Sequence, residues 1–219
     1  LGREGRNLHG DGLKVLCRLL NIAGITTGLA GLVLQFGLTI PASLDAGRSL
    51  PGSIVYFFSF FTILTNIAAV LVHAASFGTF GLRFFARPRV RAGIVAAMAV
   101  VGLVYFFLLA DLWHPVGPWF VADIILHYGT PPLILAWWLA CGRDGTLARS
   151  DPFLFISYPI AYLAYALARA PVAGEVPYPF LDFDAYGWGK VAEASLGITA
   201  LFLVLGFALV LADRMLPQP

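Results

Sequence analysis

The sequence predicts an all-α, polytopic integral membrane protein with six transmembrane helices and both termini in the cytoplasm. Three observations predict it. The chain has 219 residues, 59% of them hydrophobic and 12% charged, where soluble domains average about 45–50% and about 25%. Its mean hydropathy is +0.83, which is more apolar surface than a soluble globule of this length can hide. The apolar residues also gather in six runs, each close to the roughly 20 residues that a bilayer crossing needs. A soluble enzyme, a disordered chain and a nucleic-acid binder are therefore excluded. The net charge is only +2, and no long basic run awaits phosphates.

The six spans are 15–40, 53–77, 92–112, 118–141, 153–170 and 189–212. The first is longer than the roughly 7–15 apolar residues of a signal peptide, and no small-residue cleavage site follows it, so it counts as a helix. The second opens on aromatic residues and then carries Ser59, Thr62, Thr65 and Asn66. The third is rich in Ala and Val and reaches Asp111 near its end. The fourth holds Asp123, His127, Pro131 and Pro132. The fifth carries a stripe of Tyr158, Tyr162 and Tyr165 around Pro159, and the sixth starts on Lys190 and Glu193. Arg18, Asp111, Arg169 and Lys190 lie within about a turn of a span end and can snorkel. The connecting pieces are too short to fold alone, the longest being 171–188. Residues 1–219 thus form one transmembrane domain, and its chemistry must sit inside the bundle or at its rims. The two halves show no internal repeat.

Loop cations set the orientation. One side carries Arg3, Arg6, Lys14, Arg83, Arg87, Arg89, Arg91, Arg143, Arg149 and Arg214, while the other carries Arg48. The first side is read as cytoplasmic, so loops 41–52, 113–117 and 171–188 face outward. Trp113, Trp119 and Trp188 mark the outer boundary, Trp137 and Trp138 the inner one. Cys17 and Cys141 fall near cytoplasmic ends, which predicts reduced thiols and no disulfide. The preference for Arg over Lys, with abundant Ala and Gly, points to a GC-rich bacterial genome.

Polar side chains in hydrocarbon either find partners or mark function. Helical spacing places Ser59, Thr62 and Asn66 on one face of the second span, with His73 farther down it. In the fourth span Asp123 and His127 are i and i+4, so their side chains can meet and the carboxylate can fix the imidazole tautomer. Pro131 and Pro132 lack N–H groups, which bends the helix beside His127 and frees carbonyls that need a partner. Thr62 and His127 each lie nine residues below the start of their spans, or roughly 13 Å at about 1.5 Å per residue. A hydroxyl and an imidazole at one depth are candidates for nucleophile and general base. Asp123 and Asn66 are the candidate supporting groups, Asn66 or backbone amides near the Pro131 bend being the candidate oxyanion donors. Phe58, Phe61, Tyr158 and Tyr162 are the candidate substrate-binding side chains. The bland alternatives are a Thr bonded to its own helix, an Asn acting as interhelical glue and a stripe of packed tyrosines.

The chain resembles the bacterial relatives of the androgen-induced and androgen-dependent TFPI-regulating membrane proteins. Three segments carry the likeness: Phe60-Phe61-Thr62-Ile63-Leu64, His127-Tyr128-Gly129-Thr130-Pro131-Pro132 and Pro177-Tyr178-Pro179-Phe180-Leu181. The resemblance implies a six-span fold and hydrolysis of fatty acid esters of hydroxy fatty acids. It assigns the nucleophile to Thr62 and the base to His127. The chain departs from the eukaryotic members in carrying Asp at 123, where they hold an amide, and Thr65-Asn66, where they place an acid.

The expectation is therefore an intramembrane lipid-ester hydrolase of the bacterial inner membrane. It uses no cofactor or metal, its partners are a lipid or fatty acid ester and the surrounding lipids, and it binds no nucleic acid. The main alternative is a proton-coupled transporter or channel using Asp123, His127 and Glu193. Lesser ones are a haem protein ligated by His73 and His127, which differ in depth by roughly 16 Å, and a retinal protein built on Lys190. No Gly-x-Ser-x-Gly motif is present, so an α/β-hydrolase is excluded.

Overall fold

A computed structural model describes residues 4–79 and 81–217, with side chains from residue 11 onward. Arg3 lies outside the described residues, as does the side chain of Arg6. The described chain is all-helical. It comprises α1 (Glu4–Asp45), α2 (Leu50–Phe57), α3 (Phe61–Ala75), α4 (Pro88–Leu112), α5 (Pro118–Gly142), α6 (Asp151–Ala173) and α7 (Phe183–Met215). Five of these are long and apolar enough to cross a membrane, and α2 with α3 makes a sixth passage if the bent pair counts as one. α7 bends at Gly187, whose φ of 77° lies in the region that favours glycine.

α4 is the centre of the packing. It touches α3, α5, α6 and α7. Half of its most apolar window is buried, against 17–33% for the other four long helices. Its Ala92, Val95, Ala96, Ala97 and Met98 are fully buried, and the three alanines let neighbours approach the helix closely. Trp137 and Trp138 on α5 are also buried. They belong to the core rather than to the inner aromatic belt that the sequence predicts.

α1 closes against α3 and α5 along a glycine seam. A Cβ on Gly24 would lie 2.3 Å from His73 Nε2, one on Gly28 2.5 Å from Val70 Cγ2 and one on Gly31 2.5 Å from Ile125 Cγ2. Those distances are shorter than any carbon contact, so the helix axes reach this separation only where Cβ is missing. His73 completes the seam, with Nδ1 3.0 Å from Asn21 Oδ1 and its ring edge against Trp137.

Three features depart from the predicted helices. The second span is broken: α2 and α3 meet at 71° across Phe58–Phe60. α4 and α5 contain π-helical turns at Tyr105–Leu109, Ile125–Gly129 and Trp138–Gly142. Third, Cys17 and Cys141 are joined by a disulfide, where the sequence predicts two reduced thiols. The rule that charge names this end cytoplasmic says nothing about which side chains meet there. α1 and the last turn of α5 bring the two Cα atoms to 5.7 Å, inside the range a disulfide spans.

Charged groups gather at the two ends of the bundle. At one end Arg91 pairs with Asp144 at 2.9 Å and Arg89 with Asp151 at 3.0 Å. There Arg143 donates to the carbonyls of Ala212, Leu216 and Pro217, and the Asp213 carboxylate accepts from the amides of Asp144, Gly145 and Leu147. At the other end Glu175 bridges Arg48 and Arg169.

Gly24→Ala or Gly28→Ala will cost about 1–3 kcal/mol by overpacking, read as a lower unfolding temperature in detergent. Gly37→Ala, with no atom within 4 Å of its new Cβ, will stay within about 0.5 kcal/mol of wild type. Maleimide labelling of the unreduced, denatured protein will find no free thiol, and Cys17→Ser will expose one at Cys141.

Candidate active site

The break in the second span determines where Thr62 lies. Phe60 is extended (φ −89°, ψ 129°), and α3 begins at Phe61. Thr62 is thus the second residue of a helix that starts inside the bundle, where backbone N–H groups have no carbonyl one turn back. The break satisfies its own polar groups. Ser59 Oγ donates to Val55 O at 2.6 Å, and the Tyr162 hydroxyl donates to Ser59 O at 2.8 Å. Ser59 therefore belongs to the break and does not share a continuous helical face with Thr62 and Asn66.

The π-helical turn of α5 sets His127. Its Nε2 lies 3.3 Å from Thr62 Oγ1, and its Nδ1 lies 3.0 Å from Asp123 Oδ1 and 3.2 Å from Asp123 O. Both neighbours of Nδ1 are acceptors, so the ring proton sits on Nδ1 and Nε2 is left to accept from the Thr62 hydroxyl. The sequence predicts these three residues from two spans, and the structure brings them together: Thr62 hydrogen-bonds Nε2, and Nδ1, hydrogen-bonded to Asp123 O, lies within ion-pair distance of the Asp123 carboxylate. The Tyr105 ring stacks on the imidazole at 3.7 Å between centroids and 14° between planes. Its hydroxyl reaches the Asp123 carboxylate.

Asn66 holds the two halves of the site together. In the π turn the Thr130 amide bonds Ile125 O. One residue on, the donor due to Leu126 O is Pro131, which has no N–H. Leu126 O instead accepts from Asn66 Nδ2 at 3.2 Å and takes a share of the single Thr130 hydroxyl hydrogen, also at 3.2 Å, which points mainly at Asn66 Oδ1. Asn66 Nδ2 also donates to Thr62 O at 2.9 Å, and Asn66 Oδ1 accepts from Thr130 Oγ1 at 2.6 Å. Both amide hydrogens are thereby committed. Asn66 acts as a clamp between α3 and α5, which corrects the expectation that it supplies an oxyanion.

Two chambers meet at Thr62. The smaller, about 720 Å³, is walled by Val100, Val104, Ile160, Leu163, Ile198 and Phe202. The larger, about 1390 Å³, runs past His127 and Asp123 to Trp113, Trp119 and Arg48 and carries Gln35, Thr39 and Ser43 along α1. The Ser43 hydroxyl there is buried without a hydrogen-bond partner. Thr62, Tyr105, Leu109 and Tyr178 line both.

Of the predicted substrate-binding residues, Phe61 and Tyr162 line the smaller chamber. Phe58 is 38% exposed and lines neither, and Tyr158 turns its hydroxyl to Thr65 Oγ1 at 3.1 Å. Glu193 is about 70% exposed and bonded to Lys190 at 2.7 Å, away from both chambers, so it does not join Asp123 and His127 in a relay. His73 faces Gly24 in the α1 seam and shares no cavity with His127. Among the described residues no cluster of three or more His, Cys, Asp or Glu could hold a metal.

Sequence reasoning missed Tyr105 and Tyr178. Tyr178 lies in the 177–181 loop, and its hydroxyl accepts from the Thr62 amide at 3.3 Å. The signal was its place between Pro177 and Pro179, which stiffen the loop enough to aim a ring inward. Tyr105 stood beside Phe106 and Phe107, and nothing local set it apart from packing. Comparison with protein-family models, with curated proteins and with solved structures finds no match to this chain.

Asn66→Leu will leave Leu126 O one donor short and cost about 1–3 kcal/mol, read by thermal unfolding. Thr130→Ser, which keeps the hydroxyl, will unfold within a few degrees of wild type.

Proposed function

We propose that this protein is a six-span hydrolase of lipid esters in the bacterial inner membrane, with both termini cytoplasmic. The observation that carries the reading is the line Thr62 Oγ1, His127 Nε2, His127 Nδ1, Asp123 Oδ1 at the meeting point of two largely apolar chambers. A hydroxyl, a base and an orienting carboxylate in that order are the parts of nucleophilic ester hydrolysis. The resemblance of the Thr62, His127 and Tyr178 segments to the androgen-induced and androgen-dependent TFPI-regulating proteins favours fatty acid esters of hydroxy fatty acids as substrates. The segregation of loop cations supports the orientation, the Cys17–Cys141 disulfide at the same end counts against it, and the bent α2–α3 pair serves as the second span.

Thr62 Oγ1 attacks the ester carbonyl carbon while its proton passes to His127 Nε2. Asp123 steadies the imidazolium that forms. The tetrahedral adduct then collapses. Its bond to the alcohol oxygen breaks, and His127 returns the proton to that oxygen, leaving acyl-Thr62. Water next gives a proton to His127 and attacks the acyl carbon. The free acid leaves, and Thr62 regains its hydrogen. The acyl chain occupies the smaller chamber, whose walls are mostly apolar. The alcohol half, which carries any polar group, occupies the larger chamber beside Gln35, Thr39, Ser43 and Arg48.

The protein will label with a fluorophosphonate probe at Thr62 and hydrolyse a fluorogenic long-chain ester. Thr62→Ala and His127→Ala will each lower hydrolysis about 10³-fold or more while the variants still fold. Asp123→Asn will keep the packing and the tautomer, which Asp123 O also holds, and will lower activity by about 10²–10³-fold through loss of the charge that steadies the imidazolium. Undiminished hydrolysis by Thr62→Ala would sink the mechanism.

A further inference from the structure

Ester attack at Thr62 turns the carbonyl oxygen into an alkoxide inside an apolar bundle, where an unsolvated charge is very costly. The line of Thr62, His127 and Asp123 offers that oxygen nothing, and Asn66 has no hydrogen to spare. Some other group must donate to it.

The start of α3 supplies the first donors. As the second residue of the helix, Thr62 has an amide without a helical acceptor, and the positive end of the helix dipole lies at the same point. That amide points at the Tyr178 hydroxyl, 3.3 Å away. The Phe61 amide, the Thr62 hydroxyl and the Tyr162 hydroxyl also lie against the Tyr178 hydroxyl. Tyr178 is held from both sides, its ring stacked on Phe180 at 5.2 Å and edge-on to Phe60 at 6.0 Å. It is also one of the four residues that line both chambers, so an ester whose halves fill the two chambers carries its carbonyl past this hydroxyl.

We propose that the Tyr178 hydroxyl and the Thr62 amide form the oxyanion hole, which makes Tyr178 a catalytic residue. The assignment rests on the ester-hydrolase reading. In the empty site the two groups satisfy each other, the amide donating to the phenol oxygen. A substrate carbonyl oxygen that takes the phenol's place on the amide accepts from both: the amide keeps its direction, and the phenol oxygen moves aside and turns its O–H toward the new oxygen. No proton changes hands in this step. The donors hold the alkoxide until the bond to the alcohol oxygen breaks. Burial keeps the Tyr178 phenol above its ordinary pKa, so it stays protonated as a donor at neutral pH. The same contact gives the 177–181 loop its function, since a loop lifted off the bundle removes a donor and idles the nucleophile.

The test uses the full chain in nanodiscs with a fluorogenic long-chain fatty acid ester, a long-chain trifluoromethyl ketone and a non-hydrolysable ether of the same ester. Tyr178→Phe is expected to lower kcat by about 10²–10³-fold, with KM within about threefold. Affinity for the ketone, which binds as an oxyanion on Thr62, is expected to fall in step with kcat/KM. Binding of the ether, which has no carbonyl, is expected to stay within about threefold. A role confined to shaping the site would weaken ether and ketone alike. If Tyr178→Phe fails to fold, 3-fluorotyrosine in place of Tyr178 keeps ring and hydroxyl and is expected to retain hydrolysis. A Tyr178→Phe protein with wild-type kcat, or one that loses ether and ketone binding equally, would overturn the oxyanion assignment and leave Thr62 as nucleophile intact. A wild-type protein with no Thr62-dependent hydrolysis would overturn both.

Discussion

Leu126 O sits in an apolar bundle one π-helical step before two prolines, and the donor due to it does not exist. A carbonyl left bare at that depth costs several kcal/mol. The chain meets the deficit with two side chains, Asn66 from α3 and Thr130 from the same helix. Because Asn66 also grips Thr62 O, the repair ties the residue before His127 to the residue that carries the hydroxyl. The 3.3 Å approach of Thr62 to His127 is therefore a by-product of satisfying a backbone group. An isolated Thr in a membrane helix has an easier fate, bonding its own carbonyl one turn back, as Thr26 and Thr199 do here.

The glycine seam of α1 serves the same end from the other side. α1 packs on both α3 and the π turn of α5, and Gly28 and Gly31 face Val70 and Ile125 across it. Larger residues there would push α1 away and loosen the faces that Asn66 and Thr130 join. Site and scaffold are coupled through contact distance rather than through charge, which suits a medium in which arginine ion pairs are kept to the ends. The pairs of Arg91, Arg89, Arg48 and Arg169 are all found there.

The spans were legible because hydrocarbon tolerates few polar groups, so the apolar runs had to be helices of membrane length. Thr62, Asp123 and His127 were legible for the converse reason, each being a polar group with no business in such a run unless partnered. The break at Phe58–Phe60 was not. No Pro or Gly stands there, and its cause is tertiary: Tyr162 bonds Ser59 O from another helix. The prolines announced a distortion at His127 but not its form. In an ordinary α-helix Pro131 and Pro132 leave the carbonyls of His127 and Tyr128 without donors, whereas the π offset shifts the need to Leu126. The disulfide was hidden because spacing along the chain does not reveal which helix ends lie side by side. Tyr178 was visible as part of a stiff outer loop, yet its direction depends on how the loop folds back over α3.

The two chambers differ in what surrounds them. The smaller is bounded by Ile160, a residue 51% exposed on the face of α6, a face that meets lipid tails in the proposed setting. The larger ends at Arg48, Trp113 and Trp119, the charged and aromatic rim. On the proposed chemistry, cutting the bond at Thr62 leaves the two products in different chambers, the acyl part beside the lipid-facing wall and the alcohol part, with its polar group, beside the rim. Each half then has its own way out, and neither must pass the reacting carbon to leave.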